Sequence, residues 1–174
     1  LCMSPLRFFN DAIALRPARP ADAAAISRVY VDTWRDAYRG LIPQGYLDSM
    51  SYALHERRWR QSFATGGWGF VAELDRRVVG FASGGRCRSR GRWSGELFVL
   101  YVLAPWQGHG VGRALFDATY FELARRGLPD MLVWVLATNP ARRFYEHLGG
   151  EPAGENYCEI GGAKLKELAY GWRD

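Results

Sequence analysis

The chain has few cysteines, almost no lysine and no long apolar run, and each scarcity removes a class of function. Cys2, Cys87 and Cys158 are its three cysteines, an odd number with no Cys-x-x-Cys spacing, which argues against a disulfide framework and a structural zinc site. No metal is expected. All but Lys164 and Lys166 of the 23 basic residues are arginine, a bias that genome composition explains in an alanine- and glycine-rich chain. A net charge of +5 and a pI near 9.3 suit nucleic acid or a small polyanion, and charge alone does not choose between them. No apolar stretch approaches the roughly 18 residues of a membrane helix, so no membrane partner is expected. Residues 1–10 lack a basic start followed by an apolar run, so no secretory signal is expected and a cytoplasmic location is.

What is present is the makings of one folded domain. With 174 residues, 48% hydrophobic and 24% charged, the chain fits a single domain whose core spans about residues 12–172. Alternation predicts a strand over 12–16, ended by Pro17 and Pro20, with Asp22 as the cap of a helix. Ile26, Val29, Tyr30, Thr33, Trp34, Ala37 and Tyr38 then recur at the spacing of one buried helical stripe, up to Gly40 and Pro43. A second helix is expected over about 51–63. Runs at 68–73 and 77–83 read as a hairpin turning at Asp75, residues 84–95 as an arginine-rich loop, and 96–102 as a strand apolar on both faces. A helix from Gly112 to about 126, a strand at 131–136, a helix at 139–148 and a closing hairpin of 157–160 with 164–170 complete the order. The fold class is therefore α/β. The sheet is mixed and mostly antiparallel, with one parallel pair joined by a right-handed crossover and helices on both faces.

Between strand and helix lies Gln107-Gly108-His109-Gly110-Val111-Gly112. Glycines permit a tight turn whose amides converge as an anion nest, and the helix N-terminus behind it favours a pyrophosphate. Two other nucleotide loops fail: a GxGxxG fingerprint needs glycine where Arg113 stands, and a Walker loop needs Gly-Lys-Ser/Thr. The pattern that fits is Gln/Arg-x-x-Gly-x-Gly/Ala. Residues 77–82 fit it too, but inside a strand with no helix after it.

Loop, element order and the later Asn139-Pro140-Ala141-Arg142-Arg143-Phe144-Tyr145-Glu146-His147-Leu148-Gly149 together resemble the GCN5-related N-acetyltransferase (GNAT) superfamily over nearly the whole chain. The resemblance implies acetyl-CoA as acyl donor, wedged between strands that splay apart on either side of the pyrophosphate helix. It implies main-chain pairing of the pantetheine arm with Leu100, Tyr101 and Val102, and pyrophosphate contacts from Gln107, Gly108, His109, Gly110, Val111, Gly112 and Arg113. Asn139 would lie beside the cofactor while capping its helix ahead of Pro140. His109 departs from the arginine or lysine common in the family, so the backbone nest carries the grip.

Acetyl transfer to an amine needs a base, because a lysine-like amine with a pKa of about 10.4 is protonated at neutral pH, and a donor for the departing thiolate. Tyr145 stands where the resemblance puts that donor, although Ala141, Phe144, Tyr145 and Leu148 also make a core stripe. Glu96 resembles the catalytic glutamate of histone-type members; its alternatives are a solvated strand-end charge and relay of the proton through water. Members that acetylate peptide amino termini carry a glutamate in the strand at 131–136, where this chain has Trp134 instead. Trp34 and Tyr38 are candidate walls of the acceptor site and equally candidates for the core; His55 and His147 read as surface residues.

The expected activity is direct transfer of an acetyl group from acetyl-CoA to a primary amine of a small molecule or protein. Two other readings stand beside it: a catalytically silent acyl-CoA sensor, and an arginine-rich nucleic-acid binder, which lacks interleaved aromatics and is the weaker. Dimers are common among members of the superfamily, which leaves a homodimer open.

Overall fold

A computed structural model of the chain describes residues 6–8, 11–89 and 91–173. Eight strands form one sheet in the order β1-β2-β3-β4-β5-β6-β8-β7. The strands are β1 (Leu6–Phe8), β2 (Asp11–Pro17), β3 (Gly69–Leu74), β4 (Arg77–Arg86), β5 (Gly95–Val102), β6 (Met131–Leu136), β7 (Glu151–Ile160) and β8 (Ala163–Trp172). The helices are α1 (Ala23–Ala37), α2 (Gln44–Ser49), α3 (Tyr52–Ala64), α4 (Val111–Arg125) and α5 (Arg142–His147). Among the described strands β5 and β6 pair in parallel and every other pair of neighbours is antiparallel. This is the mixed α/β architecture that the sequence predicts. The described helices include none long and apolar enough to cross a membrane.

Strand alternation places apolar side chains on both faces, and helices cover both. Val71 and Phe81 pack with Ile26 and Val29 of α1 and Trp59 and Phe63 of α3. Their neighbours Ala72 and Ala82 turn the other way, toward Val111, Leu115, Phe116 and Leu123 of α4. Leu97 of β5 and Val133 and Val135 of β6 join the α4 side. Two tight turns set hairpin registers. Asp75 and Arg76 adopt φ of 46° and 64° between β3 and β4, and Gly161 and Gly162 adopt 60° and 81° between β7 and β8.

Three local expectations give way to tertiary structure. Residues 84–86 belong to β4, with Gly84 opposite Leu97 and Gly85 opposite Glu96. These glycines read as loop residues but serve close packing, since a Cβ on Gly84 would stand 2.8 Å from the Glu96 carbonyl oxygen. Asp22 does not cap α1 with its side chain. Its carboxylate takes both terminal nitrogens of Arg16 at 2.8 Å, and it also accepts the Arg19 N–H at 2.8 Å. The helix expected at 139–148 is regular only over Arg142–His147, because Arg142, Arg143 and Phe144 bond back three residues in a 3₁₀ turn. Helix α2 and strand β1 are too short to leave a periodic signal. Ser51, by contrast, caps α3 through the Leu54 N–H. Among the described residues Cys87 and Cys158 are free thiols; Cys2 lies outside them.

Gly84→Ala therefore distinguishes a ladder glycine from a loop glycine. It should cost about 1–3 kcal/mol in urea unfolding, as overpacking does, whereas a loop position would tolerate the methyl group.

Candidate active site

The site begins where β5 and β6 part. Their parallel register runs Gly95↔Met131, Glu96↔Leu132 and Leu97↔Val133. Asp130 clamps the closed end: its carbonyl accepts the Gly95 N–H at 3.0 Å, and its carboxylate accepts both the Ser94 N–H and the Ser94 hydroxyl. Desolvation would raise the Asp130 pKa, but these donors outweigh it and hold the carboxyl below its ordinary value. At Phe98 the β4–β5 register shifts, Gly84 facing Leu97 and Ser83 facing Val99, so one extra residue bulges out of β5. Beyond the bulge β5 follows β4 while β6 follows β8.

The Leu103 N–H donates to Val79 on β4 at 2.9 Å, which fixes the alternation along β5. Tyr101 thus turns its main chain to β4, and Leu100 and Val102 turn theirs into the gap. Gln107 Nε2 donates to the Val102 carbonyl at 2.8 Å and ties the following turn to the same edge. Gly108 and Gly110 have φ of 75° and 83°, left-handed values that disfavour side chains. Gly110 is the N-cap of α4, and the first helical bond is Ala114 N–H to the Gly110 carbonyl at 3.0 Å. The N–H groups of Val111, Gly112 and Arg113 precede that bond and point out of the helix start. Val111 is buried, anchoring the turn, while the Arg113 side chain pairs with Asp117 at 2.8 Å. His109 Nδ1 lies 2.7 Å from the Gln107 carbonyl and donates to it, since a carbonyl only accepts.

A cavity of about 440 Å³ lies beside the gap, and Trp34, Tyr38, Glu96, Phe98 and Tyr101 are among its walls. Trp34 and Tyr38, expected to be either core or contact, are half-buried: they pack against Val31 and Leu47 and also line the cavity. Trp34 Nε1 donates to the Tyr101 hydroxyl at 2.9 Å. Desolvation raises the Tyr38 pKa, and the neighbouring Asn139 and Tyr101 side chains offset part of that rise. Asn139 is buried, and its Oδ1 accepts the Ala141 N–H at 2.9 Å, so it fixes the turn into α5. Tyr145, buried on α5 against Phe144 and Trp172, has its hydroxyl pKa pushed up, first by desolvation and then by Tyr38.

Glu96 is 3% exposed, not a solvated strand end. Its Oε1 accepts Arg88 Nη2 at 2.6 Å and Nε at 3.2 Å, and its Oε2 accepts the Arg88 N–H at 2.8 Å. Sequence reasoning missed four polar wall residues: Arg88, Ser89, Asn156 and Glu167. Trp134, noted only for where it replaces a glutamate, also lines the cavity and donates Nε1 to Ser89 Oγ at 2.9 Å. Glu167 had one available signal, a carboxylate on the strand face that Leu165 and Ala169 otherwise make apolar. Among the described residues no cluster of His, Cys, Asp and Glu could hold a metal ion.

Leu100 and Val102 present an open strand edge to the gap, and the atoms nearest a Cβ on Gly112 would be those of the Phe144 ring at 3.4 Å and of Leu100 at 3.8 Å, ordinary contact distances. A family model of the acetyltransferase (GNAT) domain matches residues 66–149. An uncharacterized N-acetyltransferase of Bacillus subtilis strain 168, YuaI, is 38% identical over 164 residues, 93% of this chain and 94% of its own. A mycothiol acetyltransferase of Acidothermus cellulolyticus is 38% identical over 109 residues, 55% of this chain and 33% of that protein. The structure of yncA from Salmonella typhimurium with its cofactor acetyl-CoA superposes with a TM-score of 0.71 at 24% identity, covering 92% of this chain and 93% of the other. With its opened strand pair, its glycine turn and a relative matched along almost its full length, the chain belongs to the GNAT acetyltransferase family.

Proposed function

We propose that the protein transfers an acetyl group from acetyl-CoA to a primary amine by direct attack, with no covalent enzyme intermediate. The observation that carries this reading is the gap after Leu97, with an unpaired strand edge along one side and the start of α4 at its mouth. Acetyl-CoA, when bound, supplies the thioester and the thiol leaving group. The main chain of Leu100 and Val102 holds the pantetheine arm, and the amides from Gly108 to Arg113 hold the pyrophosphate. Binding of a polyanion there uses the helix dipole and several N–H donors together. Asn139 fixes the turn that leads into α5 and so sets where Tyr145 stands.

Glu96 receives the amine proton, through water while Arg88 occupies its carboxylate. Tyr145 stands as the donor at the departing sulfur. Because burial raises its pKa, its proton is held more tightly than a thiol of pKa about 8.5 would hold one. Tyr145 therefore stabilises the thiolate by donating a hydrogen bond and keeps its proton, and thiol protonation is completed from solvent.

Four outcomes test this reading. Incubation with acetyl-CoA and a panel of primary amines should release free CoA thiol; calorimetry showing no acetyl-CoA binding would overturn it. Tyr145→Phe should lower kcat by about 10²-fold and leave the acetyl-CoA dissociation constant within about twofold of wild type, which separates a chemical role from a packing role. A group whose pKa is raised stays protonated further up the pH scale, so kcat should show no descending limb near pH 10, where an ordinary tyrosine ionises. In the nest, Gly110→Ala forces a side chain into left-handed φ at about 1–2 kcal/mol and should weaken acetyl-CoA about tenfold, whereas Gly112→Ala, with room for its methyl group, should bind normally.

A further inference from the structure

Arg88 and Phe98 wall two cavities. On one side is the 440 Å³ space, whose ionisable walls include Glu96 and Glu167. On the other is a second cavity of about 320 Å³, with Tyr30, His55, Arg58, Trp59, Arg88 and Phe98 in its wall. Among the described residues lining that second cavity there is no carboxylate. The two spaces thus share a wall and carry opposite charge.

The positive side is built, not incidental. Tyr30 on α1 lies 4.6 Å from His55 and 6.3 Å from Trp59 on α3, ring centroid to centroid. The Arg88 guanidinium stacks 4.2 Å over the Phe98 ring. Arg58 does not simply belong to a wet helix face as its neighbour Arg60 does. Arg60 pairs with Glu56 at 2.7 Å, whereas Arg58 reaches the cavity and disfavours protonation of His55, adding to desolvation. His55, expected at the surface, is half-buried here. Arg88 spends Nε and Nη2 on Glu96, one edge of a five-donor fork whose other edge suits a second oxyanion.

We infer that the acceptor is an anionic primary amine. Its ammonium end enters beside Glu96 and Glu167, and its carboxylate or phosphate lies across Phe98, between Arg58 and Arg88. The carbon framework between the two ends rests on the Tyr30, Trp59 and Phe98 rings. An oxyanion at that point shares Arg88 with Glu96, so arrival of the acceptor draws the arginine from the carboxylate that must take the amine proton. This assignment rests on the acetyl-transfer reading for its first cavity and goes beyond it in naming the acceptor's charge.

The test uses the full chain saturated with acetyl-CoA and three chain-length-matched acceptors: an ω-amino carboxylate, its amide and an ω-amino alkyl phosphate. The carboxylate or the phosphate should exceed the amide in kcat/KM by about tenfold or more, and whichever leads identifies the oxyanion. In Arg58→Ala that preference ratio should fall to near one, and Arg58→Lys should restore part of it; Arg58 is exposed, so neither variant threatens the core. Equal rates for acid and amide, or a ratio unmoved in Arg58→Ala, would overturn the inference and leave acetyl transfer standing. Should no amine be acetylated, tryptophan fluorescence reads the same question. Titration of the amino carboxylate or the aminoalkyl phosphate should give a saturable change, lost in Trp59→Phe and about tenfold weaker in Arg58→Ala; no such change overturns the inference. Failure to bind acetyl-CoA would bear on the acetyl-transfer reading alone.

Discussion

The parting of β5 from β6 is the constraint on which the rest of the molecule depends. Two strands that begin as parallel neighbours are held together at Gly95–Leu97 by the Asp130 clamp, then led apart by their other partners. Parting leaves main-chain N–H and C=O groups of Leu100 and Val102 without a ladder. A buried polar group left unpaired costs about 1–3 kcal/mol, so an open strand edge inside a sheet is an appetite for hydrogen bonds. Gln107 satisfies the Val102 carbonyl from within the chain. What remains is an edge that another extended chain could pair with, and the proposed function gives that place to the pantetheine arm. The bulge at Phe98 is the local device that permits the divergence, since an extra residue in β5 bends it and increases its twist.

Much of this was legible because its causes are local. The double glycine before α4 requires left-handed φ, and φ is a property of two residues and their neighbours; Gly108 and Gly110 adopt it. The apolar runs at 96–102 and 131–136 require cover on both faces, whatever else the chain does. Features set by distant partners were hidden. Gly84 and Gly85 look like loop glycines until β5 lies beside them. Asp22 looks like a cap until Arg16 faces it, and the contact joining Arg16 to Glu73, at 2.6 Å, spans 57 positions of sequence. Arg88 was one arginine among many in an arginine-rich segment; only the folding of β4 onto β5 brings it to Glu96. Glu167 needed the β6–β8 pairing, which sets it opposite Leu136 at the cavity wall. Local geometry made the glycine turn and the apolar strands readable, and long-range pairing concealed the charged groups of the cavity wall.

Charge is organised on a finer scale than net charge suggests. Arg16, Arg60, Arg113, Arg125 and Arg126 pair with carboxylates near them in sequence or space. Apart from the part-buried Arg16 pair, these are exposed at the arginine end and contribute little to stability, about 0–1 kcal/mol each. They do break up the basic surface into short dipolar patches, which is a poor footprint for a nucleic-acid backbone that rewards a continuous stripe. Arg88 is the exception in kind. Its partner Glu96 is almost fully buried while its own side chain is largely exposed, so the pair has one fixed end and one movable end. A buried carboxylate with a movable counter-ion is stable at rest and can be uncovered without unfolding anything.

The tyrosines of the site complete the electrostatic argument. Tyr38, Tyr101 and Tyr145 are all held protonated mainly by desolvation, so the floor where gap meets cavity is neutral but rich in hydroxyl donors. For the proposed transfer, neutrality matters because a fixed negative charge there would oppose the build-up of charge on sulfur as the thiol leaves. A fixed positive charge would repel an incoming ammonium. Protonated phenols avoid both penalties: a phenol can donate to a developing anion, and none carries a charge that must be desolvated beforehand. Trp34, bonded to the Tyr101 hydroxyl, fixes the orientation of that group. The aromatic stripe of α1 is accordingly structural and chemical at once: the same burial that packs the helix onto the sheet keeps the hydroxyls neutral and in place.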